Sequence, residues 1–187
     1  MNRPESPLTP EAFAMRTFLI LIGCVAVAAT LRAETPPTGA FSFAVEATVT
    51  GTPSAAFDAA TGDISGWWDH TMSDHPVRLV VEPKPGGSFL EVFDESGDGV
   101  RHAAVTYARR GEKLRYEGPL GLAGHAIHMV TTWTFADAGE GRTRVRVEVH
   151  AAGEILAGWP EVVEQTWQHF LLKRYVPYVE GGCRPLK

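Results

Sequence analysis

Few side chains in this sequence combine a reactive type with a suggestive setting, and Glu91 is the first of them. It lies between Phe89 and Phe93 in an alternating stretch, so a strand that turns those rings into a core turns the carboxylate in with them. Burial would raise its pKa and suit it to general acid or base work. The opposite register, an edge strand with Leu90 and Val92 facing in, leaves Glu91 in water. His102 is the second acid–base candidate, and Tyr107 and Tyr116 are polar groups on nearby strands that could orient a ligand. No spacing makes them converge.

Metal and cofactor chemistry find less support. Seven histidines are present, but His125 and His128, three apart on a strand, point to opposite faces and cannot share an ion without a bulge. DESGDG sets Asp94, Ser96 and Asp98 at alternate positions before Gly99, as in a calcium loop; position twelve is Val105 where a bidentate glutamate is needed, and a hairpin turn explains the same residues. There is no nucleophile elbow, Walker loop or dinucleotide fingerprint, so neither a metal nor a cofactor is implied. Cys183, in a Gly-rich tail, lacks an activating partner.

Apolar residues carry the stronger signal. Glu161 to Val179 reads as one long amphipathic helix, with Val163, Thr166, Trp167, Phe170, Leu171 and Arg174 on a single stripe. Upstream, RTRVRVEVH puts Val145, Val147 and Val149 on one side of a strand and Arg144, Arg146 and Glu148 on the other, a half-buried antiparallel pattern. Arg142, Arg144 and Arg146 form a basic stripe expected to be solvated and paired with Glu148 or a neighbouring strand. Met129, Thr131, Trp133 and Phe135 share the inward face of another strand. With Trp67, Trp68, Tyr107, Val163, Trp167 and Phe170, the residues Met129, Thr131 and Trp133 are the expected lining of a ligand pocket; the competing reading of each apolar one is ordinary core.

Turn residues divide the chain. Phe41 to Thr50 is the first strand, followed by a short helix in Thr52 to Ala60 and a second short helix from Ile64 to Trp68. Strands are expected at Val77–Glu82, Phe89–Asp94, His102–Arg110, Lys113–Glu117, Ala126–Phe135 and Arg142–His150, separated by KPGG, ESGDG, RRGE, GPLGLAG and DAGEG. The fold class is therefore α+β: a helix-grip, with a curved antiparallel sheet of about seven strands wrapped on the C-terminal helix. Seven strands at roughly 4.8 Å make a sheet about 30 Å wide, whereas a helix is about 10 to 12 Å across. A pocket is left beside the helix unless loops fill it.

At the other end, Phe18 to Ala29 is an uninterrupted apolar run that reads as a signal peptide, too short for a stable membrane span. Residues 1–33 would be removed, with Met15 the expected true start; a lipobox-like LIGC ending in Cys24 is the alternative, a lipid anchor. Residues 34–40 read as a linker, 41–180 as the domain and 181–187 as a tail. The expected location is periplasmic or secreted. The net charge is −5, and the removed segment carries Arg3, Arg16 and Arg32 against Glu5 and Glu11, so the remainder is more acidic still, which argues against a nucleic-acid partner.

The element order, together with GDISGWWDH at Gly62 to His70, EPKPGGSF at Glu82 to Phe89 and the terminal WPEVVEQTWQHFLLKRYVPYVE, resembles the SRPBCC or START-like superfamily, and within it the branch named after the activator of Hsp90 ATPase. The resemblance covers roughly Phe43 to Glu180. It implies a cavity under the C-terminal helix that takes a small apolar or amphipathic molecule, with catalysis in some branches only. Two alternatives follow from the same resemblance: an enzyme of the polyketide cyclase or hydrolase type, with Glu91 and His102 as acid and base, and a chaperone-related protein-interaction domain. The export signal disfavours the last, because Hsp90 acts inside the cell.

Overall fold

The computed structural model describes residues 35–186. The expected signal peptide and the Cys24 alternative lie outside them. Strand β1 (Thr38–Thr50) pairs along its whole length with β8 (Arg142–Glu154), from Thr38 opposite Glu154 to Thr50 opposite Arg142. Both run longer than the sequence pattern suggests, because Ala152–Glu154 extend far enough to draw Thr38–Ala40 out of the expected linker and into the sheet. Between them come α1 (Pro53–Ala59), β2 (Gly62–Asp63), β3 (Arg78–Val81), β4 (Ser88–Val92), β5 (Gly99–Arg109), β6 (Lys113–Glu117) and β7 (Ile127–Gly139). The sheet is antiparallel in the order β1-β8-β7-β6-β5-β4-β3-β2, eight strands instead of about seven, the extra one being the two-residue β2.

Helix α1 starts as its sequence requires: the Thr52 hydroxyl accepts the Ala55 N–H at 3.2 Å, and Pro53 occupies the first turn. The second short helix expected at Ile64 is instead a single turn, in which the Trp67 and Trp68 N–H groups both donate to the Ile64 carbonyl. A continuing helix would splay adjacent side chains by about 100°. Here both indoles turn inward, Trp67 Nε1 donating to the Ala59 carbonyl at 3.0 Å and Trp68 Nε1 to that of His70 at 2.7 Å.

The C-terminal helix runs through α2 (Trp159–Gln168), a π-helical stretch (His169–Tyr175) and α3 (Val176–Glu180). The π stretch leads into Pro177, which has no N–H to donate to the Lys173 carbonyl and whose ring would collide with it, so the ordinary i to i−4 ladder cannot continue there. Among the described residues, no helix is long and apolar enough to cross a membrane.

Alternation sorts the two faces of the sheet as the sequence indicates. Val145, Val147 and Val149 are buried, while Arg144 and Arg146 meet Glu46 across the strand at 4.0 and 3.9 Å on the wet face. On the buried face, Trp67, Trp133, Trp167 and Tyr175 form an edge-to-face cluster with centroid spacings of 5.4 to 6.1 Å, tying the turn after β2, strand β7 and the C-terminal helix together. The Tyr175 hydroxyl donates to the Ala56 carbonyl at 2.6 Å, which adds α1 to the same assembly. Trp133→Ala should therefore cost about 3 to 5 kcal/mol in urea denaturation, whereas Leu172→Ala, on the exposed side of the helix, should change stability by less than about 0.5 kcal/mol; similar losses for the two would contradict this assignment of the core.

Candidate functional site

A cavity of about 310 Å³ lies on the buried face of the sheet, under the first turns of α2. Strands β5 and β7 supply His102 and Met129, the helix supplies Val162, Val163, Thr166, Trp167 and Phe170, and the segment after β2 supplies Trp68, His70, Thr71 and Met72. Leu120, Gly121 and Leu122, in the glycine-bearing loop between β6 and β7, close the remaining side. Trp68 stacks on Phe170 with ring centroids 3.9 Å apart, so one wall is a continuous aromatic surface.

Glu91 is buried beside this wall at 0% exposure, as is Phe89, and Leu90 and Val92 on the alternate face are only half-buried. Its carboxylate accepts the N–H groups of Met72 at 2.9 and 3.0 Å and of Ser73 at 2.9 Å, and the His102 Nε2–H at 2.8 Å. Burial opposes ionisation, but these donors outweigh it and hold the carboxyl below its ordinary value of 4.5. The expected upward shift is thus reversed: of the two registers the pattern left open the inward one is found, and a distant loop that no local pattern announces delivers two backbone donors to the carboxylate. A carboxyl held ionised is poorly placed to give up a proton and well placed to orient an imidazole.

The sequence reading found no way to bring His102 and Glu91 together. A β-bulge does so: Phe89 pairs with Ala103 and Leu90 with Arg101, leaving His102 as the extra residue, so that His102 and Ala103 both turn inward. A second bulge, at Thr106, has the opposite effect on Tyr107. Val105 pairs with Tyr116 and Tyr107 with Arg115, which flips Tyr107 to the wet face, where Lys113 Nζ lies 5.9 Å from its ring. Tyr107 is therefore not part of the lining.

Of the other residues expected to line a pocket, Trp68, Met129, Val163, Trp167 and Phe170 do so. Trp67, Thr131 and Trp133 are buried but belong to the core beyond the cavity. Tyr116 is spent within that core, its hydroxyl accepting Trp133 Nε1–H at 3.2 Å. His125 and His128 each meet a different carboxylate, Glu154 at 3.0 Å and Glu117 at 3.6 Å.

Sequence reasoning missed a polar cluster at the cavity mouth. Asp69 meets His70 Nδ1 at 3.0 Å, His169 Nε2 at 2.8 Å and Arg174 Nε at 3.2 Å. Its three potential metal ligands, Asp69, His70 and His169, lie within 4.8 Å of one another, but the Arg174 guanidinium already supplies a cation at the carboxylate. One hundred residues separate Asp69 from His169, and no local spacing announces the contact. The Ser73 hydroxyl is buried without a hydrogen-bond partner, so it does not reach His102 and no Ser–His–carboxylate relay is formed.

Solved structures resemble this arrangement. Protein Mll3558 from Rhizobium loti superposes with a TM-score of 0.54 at 16% identity, covering 73% of this chain and 95% of its own. EF2215, a conserved protein of unknown function from Enterococcus faecalis, gives 0.52 at 12% identity over 80% and 75%, and CV1439 from Chromobacterium violaceum gives 0.50 at 21% over 74% and 96%. The fold is a helix-grip. No protein-family model and no curated protein sequence matches the chain.

The Glu91 contacts give a signed pH dependence. A carboxyl held below its ordinary value contributes stability that is present in full above 4.5 and is lost as the pH falls through its lower folded value. Glu91→Gln should cost about 2 to 3 kcal/mol at pH 7, because the amide turns donors toward donors, and the gap from wild type should narrow below pH 4.5. Urea melts at pH 7 and pH 3 measure both; an equal gap at the two pH values would contradict the assignment.

Proposed function

We propose that this chain is a START-like binding module of the SRPBCC type that holds a small apolar or amphipathic molecule between the sheet and the C-terminal helix. One observation carries the reading: a cavity of about 310 Å³ whose wall is mostly aromatic and aliphatic, Met129, Val163, Trp167 and Phe170 among it. Its size falls at the lower end of the range of about 300 to 1,000 Å³ for small-molecule sites. Burial of a ligand's apolar surface there would supply affinity at about 25 cal/mol per Å² before ordering costs are met. The glycine-bearing rim at Gly121 and the exposed Met72 and Val162 at the mouth suit entry of such a molecule from the side of the helix.

The apolar run at Phe18 to Ala29 supports an exported, periplasmic or secreted protein, and an exported location would part the chain from the Hsp90-related role of the branch it resembles. The Glu91–His102 contact is what favours the alternative, an enzyme of the cyclase or hydrolase type on the same fold. A ligand recovered chemically unchanged after long incubation with the protein would count for the binding module.

Native mass spectrometry of the purified mature protein should show a copurifying apolar molecule. Val163→Trp, which fills the cavity from the helix side, should abolish that adduct while leaving thermal stability within about 1 kcal/mol of wild type. A wild-type protein that neither copurifies with nor takes up any apolar compound would contradict the reading.

A further inference from the structure

Within the cavity wall the polar groups can be accounted for one by one. His70 and Thr71 lie at the exposed mouth, and the Thr166 hydroxyl is used within the helix, donating to the Val162 carbonyl at 2.8 Å. What remains is His102, only 4% exposed and part of the wall, together with the Trp167 indole N–H, a donor to which no described residue offers an acceptor. The His102 tautomer follows from Glu91. An ionised carboxylate is an acceptor only, and the Met72 and Ser73 contacts are all N–H groups donating to it, so the ring nitrogen 2.8 Å away must carry a hydrogen. With Nε2 protonated, Nδ1 of the neutral ring holds a lone pair, and no hydrogen bond to it is formed by any described residue.

Among the described residues only the Ser73 hydroxyl is a fully enclosed polar side-chain atom without a partner, so Nδ1 is open to the cavity, and a ligand donor that meets it gains a hydrogen bond in a mostly apolar site. We infer that Nδ1 of His102 is the anchor for a hydroxyl donor on the bound molecule, and that the ligand class is an aromatic hydroxyl compound, a phenol or naphthol. This rests on the cavity reading above and narrows it. An O–H group satisfies the lone pair, whereas a carbonyl or ether offers it nothing. A carboxylate would bring a second negative charge beside Glu91 in a dry site. The ring of such a ligand meets Trp68, Trp167 and Phe170, which present the faces and edges that aromatic molecules pack against. Glu91, which does not touch the ligand, is a positioning residue: it fixes the tautomer and strengthens Nδ1 as an acceptor.

Calorimetric titration of the mature protein with 2-naphthol and with naphthalene separates the two claims. Naphthalene is the more apolar, so a cavity with no anchor binds it at least as tightly as naphthol. With the anchor, naphthol should bind roughly tenfold tighter, one net hydrogen bond in a dry site, and His102→Phe should erase or reverse that preference while retaining naphthalene. Equal or tighter binding of naphthalene to wild type overturns the anchor and leaves the cavity reading standing. A naphthol preference that survives His102→Phe also overturns it. Failure of both compounds to bind overturns the cavity reading and the anchor together. Should His102→Phe not fold, the 15N resonance of His102 Nδ1 in wild type decides in its place: it should move on addition of naphthol and stay put with naphthalene, and an unmoved resonance in both cases overturns the anchor.

Discussion

A single helix laid on an eight-stranded sheet leaves part of the buried face uncovered, since eight strands span about 34 Å and a helix only about 10 to 12 Å. The chain covers the remainder unevenly. Toward the end of the helix, Trp67, Trp133 and Tyr175 fill the space with interlocking rings, and α1 is drawn in by the Tyr175 hydroxyl. Under the first turns of α2 the cover is thinner, consisting of the short Leu120–Leu122 turn and the segment around Thr71, and there the cavity remains. Packing and vacancy thus follow from one mismatch of widths.

What holds the thin side in place is electrostatic. The loop between β2 and β3 contributes no regular element near Met72, yet two of its backbone N–H groups are fixed on Glu91, and a third donor comes from the bulged His102. A buried charge is tolerable only when its lone pairs are met, and here every contact is a donor. The arrangement joins loop, β4 and β5 at the cavity wall and leaves one imidazole nitrogen unused. At the mouth, Asp69 plays a comparable part for the helix, bonded to His169 and Arg174 within the π-helical stretch and to the adjacent His70.

Much of the architecture was legible in the chain because it depends on period and local chemistry. The alternation of Val145, Val147 and Val149, the stripe through Trp167 and Phe170, and the Thr52 cap each follow from residues a few positions apart. The register of Glu91 was not fixed in this way, since alternation alone allowed either Phe89 with Glu91 or Leu90 with Val92 to face the core. Departures from strict period were not readable. One extra residue at His102 and another at Thr106 decide that the imidazole meets Glu91 and that Tyr107 faces water, and nothing in the strand sequence marks either bulge. Likewise Trp67, Trp68, Thr131 and Trp133 look equivalent as inward residues, and only the path of the helix separates the one at the cavity from those beneath the core. The π stretch was not readable either: Pro177 falls inside the single helix expected over Glu161 to Val179, and the apolar stripe does not mark the change of ladder from His169 to Tyr175.

The central claim is that the space bounded by Met129, Trp167 and Phe170 is real and accessible. Diffraction from crystals held under xenon pressure addresses it directly, because xenon enters dry apolar cavities of this kind. Xenon density among those three side chains, with the Glu91–His102 contact intact, is the expected result; no xenon there, with Phe170 and Val163 collapsed onto the sheet, would contradict the account.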